Sequence, residues 1–352
     1  MKVAIITDQH FGARNDSLHF LDFYEKFYSG TFFPRLVKDK IDTVLILGDT
    51  FDRRKYVNFY SLQRAKKMFF DVLKQMNVQV YMLVGNHDTY YKNTNEVNSP
   101  ELLLLEEYDN IEVISHPQHI TLGDVEIAMM PWICPENYED SMKLLKDSNA
   151  TICMGHFEIT GFQMYRGAPS HDGLSPESFS KFDTVFSGHY HHKSDRGNIH
   201  YLGNPYELTW QDYDDARGFH IFDLKTSKKT FVKNPNTIFK RIVYDDKKDD
   251  IKTINSIDLE PYKNTYVKLV VVNKTNPYLF DTFVNKLYAV GLIDLTIVED
   301  VVDLESEDDD VDQTEDTTTI LNKYVDNLTT DLKKDKLKVL LRELYVEALN
   351  GE

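Results

Sequence analysis

The stretch Val44-Leu45-Ile46-Leu47-Gly48-Asp49-Thr50-Phe51-Asp52 sets four consecutive apolar side chains directly before a Gly-Asp pair. A run that is apolar at every position and this short cannot be a buried helix; it reads as a strand covered on both faces. Glycine then lets the backbone turn tightly, and Asp49 stands at the carboxyl end of the strand with two oxygens able to bridge two metal ions. The same phrase recurs to either side. Residues 3–7 run into Asp8-Gln9-His10, residues 80–84 into Gly85-Asn86-His87-Asp88, residues 152–154 into Gly155-His156, and residues 185–187 into Gly188-His189-Tyr190-His191. Helix-like segments lie between, at 18–40 and at 61–75, the second with Leu62, Ala65, Phe69, Val72 and Leu73 on one face. This alternation predicts an α/β fold of right-handed crossover units with a mainly parallel sheet, where ligands collect beyond the carboxyl ends of the strands.

Each cluster carries its own chemistry. A spacing of two puts Asp8 and His10 on one side of an extended chain, so a carboxylate and an imidazole converge on one ion. Asn86 offers a neutral oxygen, His87 a titratable imidazole and Asp88 a carboxylate to orient it. His189 and His191 repeat the spacing of two. Cys134 and Cys153 are far apart and form no CxxC, so a thiolate zinc site is excluded and a metal falls to His, Asp and Asn. A lone Asp-x-His or a single histidine arises often by chance, but five clusters at expected strand ends do not.

The chain has 352 residues, 41% of them hydrophobic and 28% charged, which predicts more than one domain and excludes global disorder. No apolar run approaches the roughly 18 residues of a bilayer span, and the N-terminus lacks the pattern of a secretory signal, so the expected setting is the cytoplasm. A formal charge of −17 opposes a nucleic-acid partner, but residues 299–316 hold eleven acidic residues and no basic one, leaving 46 acidic against 40 basic elsewhere. Residues 225–252 carry nine Lys and Arg against four Asp. The expected organisation is a first domain over 1–222, a small α+β domain over 223–298 and an acidic, disordered linker over 299–318. A helical module follows over 319–352. Within the second domain the pattern predicts strands at 266–272 and 292–298 and a helix at 278–290. In the last module Leu337, Leu340, Leu341, Leu344 and Tyr345 share a helical face that needs a partner to cover it.

The order D-x-H, G-D, G-N-H-D, G-H, G-H-x-H resembles that of the calcineurin-like metallophosphoesterases, whose fold is a β-sandwich flanked by helices around two metal ions. The layout after the motifs, a small capping domain and a terminal helix pair, is similar to the SbcD-type nuclease subunits of double-strand-break repair and recombination complexes, T4-like bacteriophage members included. The resemblance implies two divalent ions, Mn²⁺ first, with Mg²⁺, Fe or Zn as alternatives. It gives one ion Asp8, His10, Asp49 and His191, the other Asp49, Asn86, His156 and His189, and leaves His87 as the acid that protonates the departing sugar oxygen. Many cellular relatives carry a second His three residues after the bridging Asp; here that position is Asp52, followed by Arg53 and Arg54, of which Arg53 is similar to the phosphate-clamping Arg of protein Ser/Thr phosphatases. The bland reading of Arg53 is an ion pair with Asp52, and His171 and His192 read as surface residues. Trp132 and Trp210 read as core.

The implied function is a Mn²⁺-dependent DNA nuclease, an exonuclease on duplex ends and an endonuclease on single strands, in recombination, repair and replication. The implied partners are a second copy and an ABC-type coiled-coil ATPase, bound through the terminal helices; in a phage the setting is the host cytoplasm. No Walker A motif is present, so ATP dependence would come from that ATPase. A metal-dependent phosphatase or cyclic-nucleotide phosphodiesterase is the alternative, and a non-catalytic scaffold a third.

Overall fold

The computed structural model describes residues 1–165, 168–249, 251–299 and positions 325, 334, 336–338, 340 and 341. The chain divides into two compact units, Met1–Asp308 and Asp309–Glu352.

In the first unit, strands β1 (Lys2–Ile6), β2 (Thr43–Ile46), β3 (Gln79–Leu83) and β4 (Ile111–Ile114) are parallel neighbours. β13 (Gly218–Asp223) and β14 (Lys228–Lys233) add to β1 as antiparallel strands, giving the order β14-β13-β1-β2-β3-β4. A second six-stranded sheet has the order β11-β12-β10-β7-β6-β5. Its strands β6 (Val125–Met130), β7 (Ile152–His156), β10 (Thr184–Gly188) and β12 (Ile199–Tyr201) are parallel, with β5 (Gln118–Leu122) and β11 (Ser194–Arg196) antiparallel at the edges. A short hairpin, β8 (Gln163–Tyr165) and β9 (Ala168–Pro169), lies between β7 and β10 in the chain. The parallel centre expected from the sequence is present twice; antiparallel strands close both edges of the second sheet and one edge of the first, whose other edge is the parallel strand β4.

The apolar runs follow from this layering. Val3, Ile5, Leu45, Leu47 and Leu83 point into the sandwich against Ile127, Met129, Ile152, Met154 and Phe186. Their alternates Ala4, Ile6, Val44, Ile46, Val80 and Met82 point outward, under the helices. A strand with both faces covered has no polar alternation to show. The helical cover at 18–40 is Leu18–Phe27 and Phe33–Asp39 joined by a π-helical turn at Tyr28–Phe32; that at 61–75 runs from Phe59 to Gln75 with a π turn at Lys66–Phe70. Widening the turn lets Met68, Phe69 and Phe70, consecutive in sequence, all lie buried, which a regular helical stripe does not allow. Asn58 caps this helix by accepting from the Tyr60 and Ser61 backbone N–H groups.

A separate three-stranded parallel sheet follows: β15 (Phe239–Asp245), β16 (Tyr266–Asn273) and β17 (Asp294–Val298), in the order β15-β16-β17. The helix Pro277–Val290 packs on it through Leu279, Phe280, Phe283 and Leu287, capped by Asn276 and stopped by Gly291 at φ 86. The chain leaves the first sheet after Lys233, not at 222 as expected from the basic, turn-rich stretch. Lys228–Lys233 is an edge strand, where one side stays wet and lysine is well tolerated. The expected disordered linker lies outside the described residues beyond Glu299. Of the expected partner-binding face, Leu337, Leu340 and Leu341 are helical, whereas Leu344 and Tyr345 lie outside the described residues.

Glu207 ties the small sheet to the sandwich: its buried carboxylate accepts the N–H groups of Ile238 at 2.7 Å and Phe239 at 3.0 Å. Burial, opposed by those two bonds, pushes its carboxyl up to about 7 from 4.5. The folded state therefore holds a proton across that window that the unfolded chain has lost. The resulting stability is full below about pH 4.5 and is lost as pH rises through about 7. Glu207→Gln keeps an acceptor and removes the titration, so its thermal midpoint, measured by circular dichroism from about pH 5 to about pH 8, should fall less than that of the native protein.

Candidate metal centre

The strand ends bring their polar residues to one place. Asp8, His10 and His191 each offer a ligand atom, all within 4.8 Å of one another, as do His10, Asp49 and His87, and Asp49, His156 and His189. Asn86, a neutral donor, joins the third group, with its Oδ1 2.9 Å from both His156 Nε2 and His189 Nδ1. Every metal ligand anticipated from the sequence thus lies in one cluster.

The backbone works hard to aim these side chains. Asp8, His10, Asp49 and His189 sit at φ 52, 46, 51 and 85, left-handed values that cost non-glycine residues on the order of 1–3 kcal/mol each. Bonds between the loops hold them there: Asp8 N–H to the Gly48 carbonyl at 3.0 Å, His10 N–H to Asp49 at 3.0 Å and Phe11 N–H to Thr50 at 2.9 Å. Carboxylates are fixed in turn, Asp8 by the His189 N–H at 3.0 Å and Asp49 by the His87 N–H at 2.8 Å. Behind the first loop, buried Tyr206 donates to the Gln9 carbonyl at 2.6 Å and Gln9 donates to Tyr28 at 2.7 Å.

The donor set fits divalent cations. His156 Nδ1 donates to the Leu47 carbonyl at 2.7 Å, so in a neutral ring Nε2 bears a lone pair. That lone pair faces two further acceptors, Asn86 Oδ1 at 2.9 Å and Asp49 Oδ2 at 3.2 Å. Beside them His10 Nε2 meets His191 Nε2 at 3.1 Å, a contact in which one ring donates and the other accepts. Acceptors aimed at acceptors in a buried site demand positive charge. The protein alone meets the demand with protons: burial works to lower both rings, yet Asp52, Asp49 and Asp8 push His10 up to about 9, and Asp49 and Asp8 push His156 up to about 9. Burial also opposes a charge on Asp49, but the imidazoles of His156, His87 and His10 hold it well below the usual carboxylate range.

Other anticipated residues fall differently. Asp88 does not orient His87; fully buried, it accepts the N–H groups of Thr50 at 3.0 Å, Phe51 at 3.0 Å and Gly85 at 2.9 Å, clamping two ligand loops together. The His87 ring is held by the Asp52 carbonyl oxygen, 2.6 Å from Nδ1, and stands edge-on to His10. Asp52 also places a carboxylate oxygen 3.4 Å from His10 Nδ1. Arg53 pairs with Asp16 at 3.2 Å and bonds Asn15 at 2.6 Å, so an acidic partner comes from the short helix Ala13–Asp16 after the first strand. Arg54 reaches Thr89 at 3.2 Å. His192 is bound to Asp215 at 2.7 Å, not a free surface residue, and exposed His171 lies outside the cluster. Trp132, read as core, is half-buried against the His189 ring with centroids 5.2 Å apart. Its position two residues beyond the apolar run 125–130, which forms β6, is the local signal that places it near the strand ends.

A fold of two layered mixed sheets under helices, with His, Asp and Asn converging at the strand ends, defines a metal-dependent phosphoesterase. Residues 1–193 match the model of the calcineurin-like phosphoesterases, and the chain belongs to that family. It is similar to exonuclease subunit 1 of Enterobacteria phage T4, 31% identical over 318 residues, which cover 88% of this chain and 89% of that protein. Among solved structures, a novel archaeal phosphodiesterase aligns at 10% identity with a TM-score of 0.33, covering 66% of this chain and 99% of that one. GAP50, the anchor in the inner membrane complex of Plasmodium, aligns at 11% identity with a TM-score of 0.41, covering 67% and 90%. No helix among the described residues is long and apolar enough to cross a membrane.

A Cβ on Gly85 would collide with the Asp49 carboxylate and backbone nitrogen. Gly85→Ala should therefore displace Asp49 and weaken divalent-metal binding at least about tenfold by calorimetry, with the fold intact by circular dichroism. Unchanged affinity would remove Asp49 from the ligand set.

Proposed function

We propose that this chain is the nuclease subunit of a DNA recombination and repair complex, cutting phosphodiester bonds at duplex ends and within single strands. The observation that carries this reading is the likeness to the phage T4 exonuclease subunit over 88% of the chain, well beyond the phosphoesterase domain. The cluster supports it by supplying ligands for two ions of one kind, Mn²⁺ in this reading. Asp8, His10, Asp49 and His191 would hold one and Asp49, Asn86, His156 and His189 the other, with Asp49 between them. Bound divalent ions neutralise a phosphodiester and make water a competent nucleophile near neutral pH.

The chain's own residues do the rest. With Nδ1–H held on the Asp52 carbonyl, a protonated His87 carries its second proton on Nε2 and can deliver it to the departing sugar oxygen, an alkoxide too basic to leave unaided. Asp88 acts by keeping the Gly48 and Gly85 loops in register. Arg53 and Arg54, braced by Asp16 and Thr89, are offered as contacts to the DNA backbone at the rim. The three-stranded domain would position DNA. The helical face containing Leu337, Leu340, Leu341, Leu344 and Tyr345 would bind an ABC-type coiled-coil ATPase, with a second copy of the chain in the same assembly.

The test is cleavage of end-labelled linear duplex and single-stranded circles by the purified protein with Mn²⁺. His87→Ala should slow cleavage about 10²- to 10⁴-fold while keeping Mn²⁺ binding, and Asp49→Ala should lose both. If the native protein, supplied with the ATPase, leaves both DNAs intact yet hydrolyses a small phosphodiester, the phosphodiesterase alternative replaces this reading.

A further inference from the structure

His191 is held differently from its neighbours in the cluster. His156 and His87 each rest a second ring nitrogen on a main-chain carbonyl, Leu47 at 2.7 Å and Asp52 at 2.6 Å, which fixes ring orientation. Among the described residues the His191 ring has one hydrogen-bonding partner, the facing nitrogen of His10. Its main chain is what is held. The His191 carbonyl accepts a hydrogen bond from the Arg217 guanidinium and a long one, 3.4 Å, from the Asn204 N–H. A Cβ on Gly203 would come within 2.8 Å of that same carbonyl, so the loop there passes too close for any side chain.

The guanidinium is itself braced through both terminal nitrogens, while its buried Nε has no hydrogen-bond partner among the described residues. It donates to the side-chain oxygen of Asn204, to Asp212 at 2.8 Å and to Asp215 at 2.9 Å. Asp215 also accepts from the His192 ring at 2.7 Å, so two consecutive residues are tied to one cluster, the first by backbone and the second by side chain. Asp212 is anchored by the N–H groups of Leu208 at 2.7 Å and Thr209 at 3.0 Å, and the Arg217 carbonyl accepts the Asn234 N–H at 2.8 Å. Arg217 is 6% and Asp212 2% exposed, and buried ion clusters add little net stability, which leaves geometry as their main effect.

We propose that Arg217 is a positioning residue for the metal centre. Its planar fork, held by Asp212 and Asp215, sets the place of the His191 main chain and so the approach of the His191 ring to His10. The inference rests on the two-ion reading above. A lysine retains the charge but, as a point donor, cannot span the His191 carbonyl, Asn204 and both carboxylates.

The experiment uses the full chain and Mn²⁺ alone, titrated by calorimetry, with Co²⁺ absorption spectra as a second readout and thermal melts as a folding control. The native protein is measured first; failure to bind a second ion there overturns the two-ion reading itself, before any variant is compared. Given two ions, Arg217→Lys should weaken one of them about 10- to 100-fold, leave the other unchanged and alter the Co²⁺ band of the weakened site. Asp215→Asn, which keeps the Arg217–Asp212 pair, should shift the same ion in the same direction by less. Folded variants that bind both ions as the native protein does, or lose both equally, would overturn the positioning role.

Discussion

Everything in the first unit is arranged around an electrostatic conflict. Lone pairs of His156, Asn86 and Asp49 are aimed at one another across about 3 Å inside a buried site, where the His10 and His191 rings also meet nitrogen to nitrogen at 3.1 Å. Such an arrangement is stable only with positive charge at its centre, and in water it would fall apart. The four left-handed residues that aim these groups add local cost. The protein holds the conflict in place with rigid surroundings: loop-to-loop backbone bonds, Asp88 across three N–H groups, and the buried Tyr206–Gln9–Tyr28 network.

The sandwich supplies that rigidity. β1, β2 and β3 from one sheet and β7 and β10 from the other end near one level, so candidate ligands separated by up to 183 positions in the chain, from Asp8 to His191, arrive within a few ångströms. Small residues at the strand ends make the approach possible. A Cβ on Gly48 would strike the His156 ring, and one on Gly188 would strike Thr7 and come within 2.6 Å of the Leu47 carbonyl, which allows the two sheets to close on each other at the site.

Much of this was legible beforehand because the relevant signals are local. The five apolar runs are strands within a residue or two of their expected bounds, since complete burial on both faces leaves an unbroken run. The polar clusters follow them directly, so each ligand's place relative to its own strand could be read without knowing the fold. Legibility ended where a residue's partner is remote. Asp88 beside His87 looked like its orienting carboxylate, but the chain turns so that Asp88 meets Thr50 and Phe51 while the Asp52 carbonyl takes the imidazole. Arg53 reaches Asp16, 37 positions earlier in the chain, a partner no local spacing could suggest. Lys228–Lys233 read as the start of a new domain because edge strands may carry lysine freely.

The sequence by itself determined the alternation of strands and helices, the candidate ligands and their order, since these depend on burial periodicity and on side-chain chemistry at fixed short spacings. Only the tertiary structure decided that the parallel strands form two sheets, that antiparallel strands close three of their four edges, and that the π turn at Lys66–Phe70 buries three consecutive side chains. It also decided which neighbour each polar group uses: Asp88 for the loops, Glu207 for the start of β15, Arg217 for the His191 backbone. Those choices join segments far apart in the chain, and no local pattern of residues encodes the distance between two surfaces that meet only when both sheets have formed.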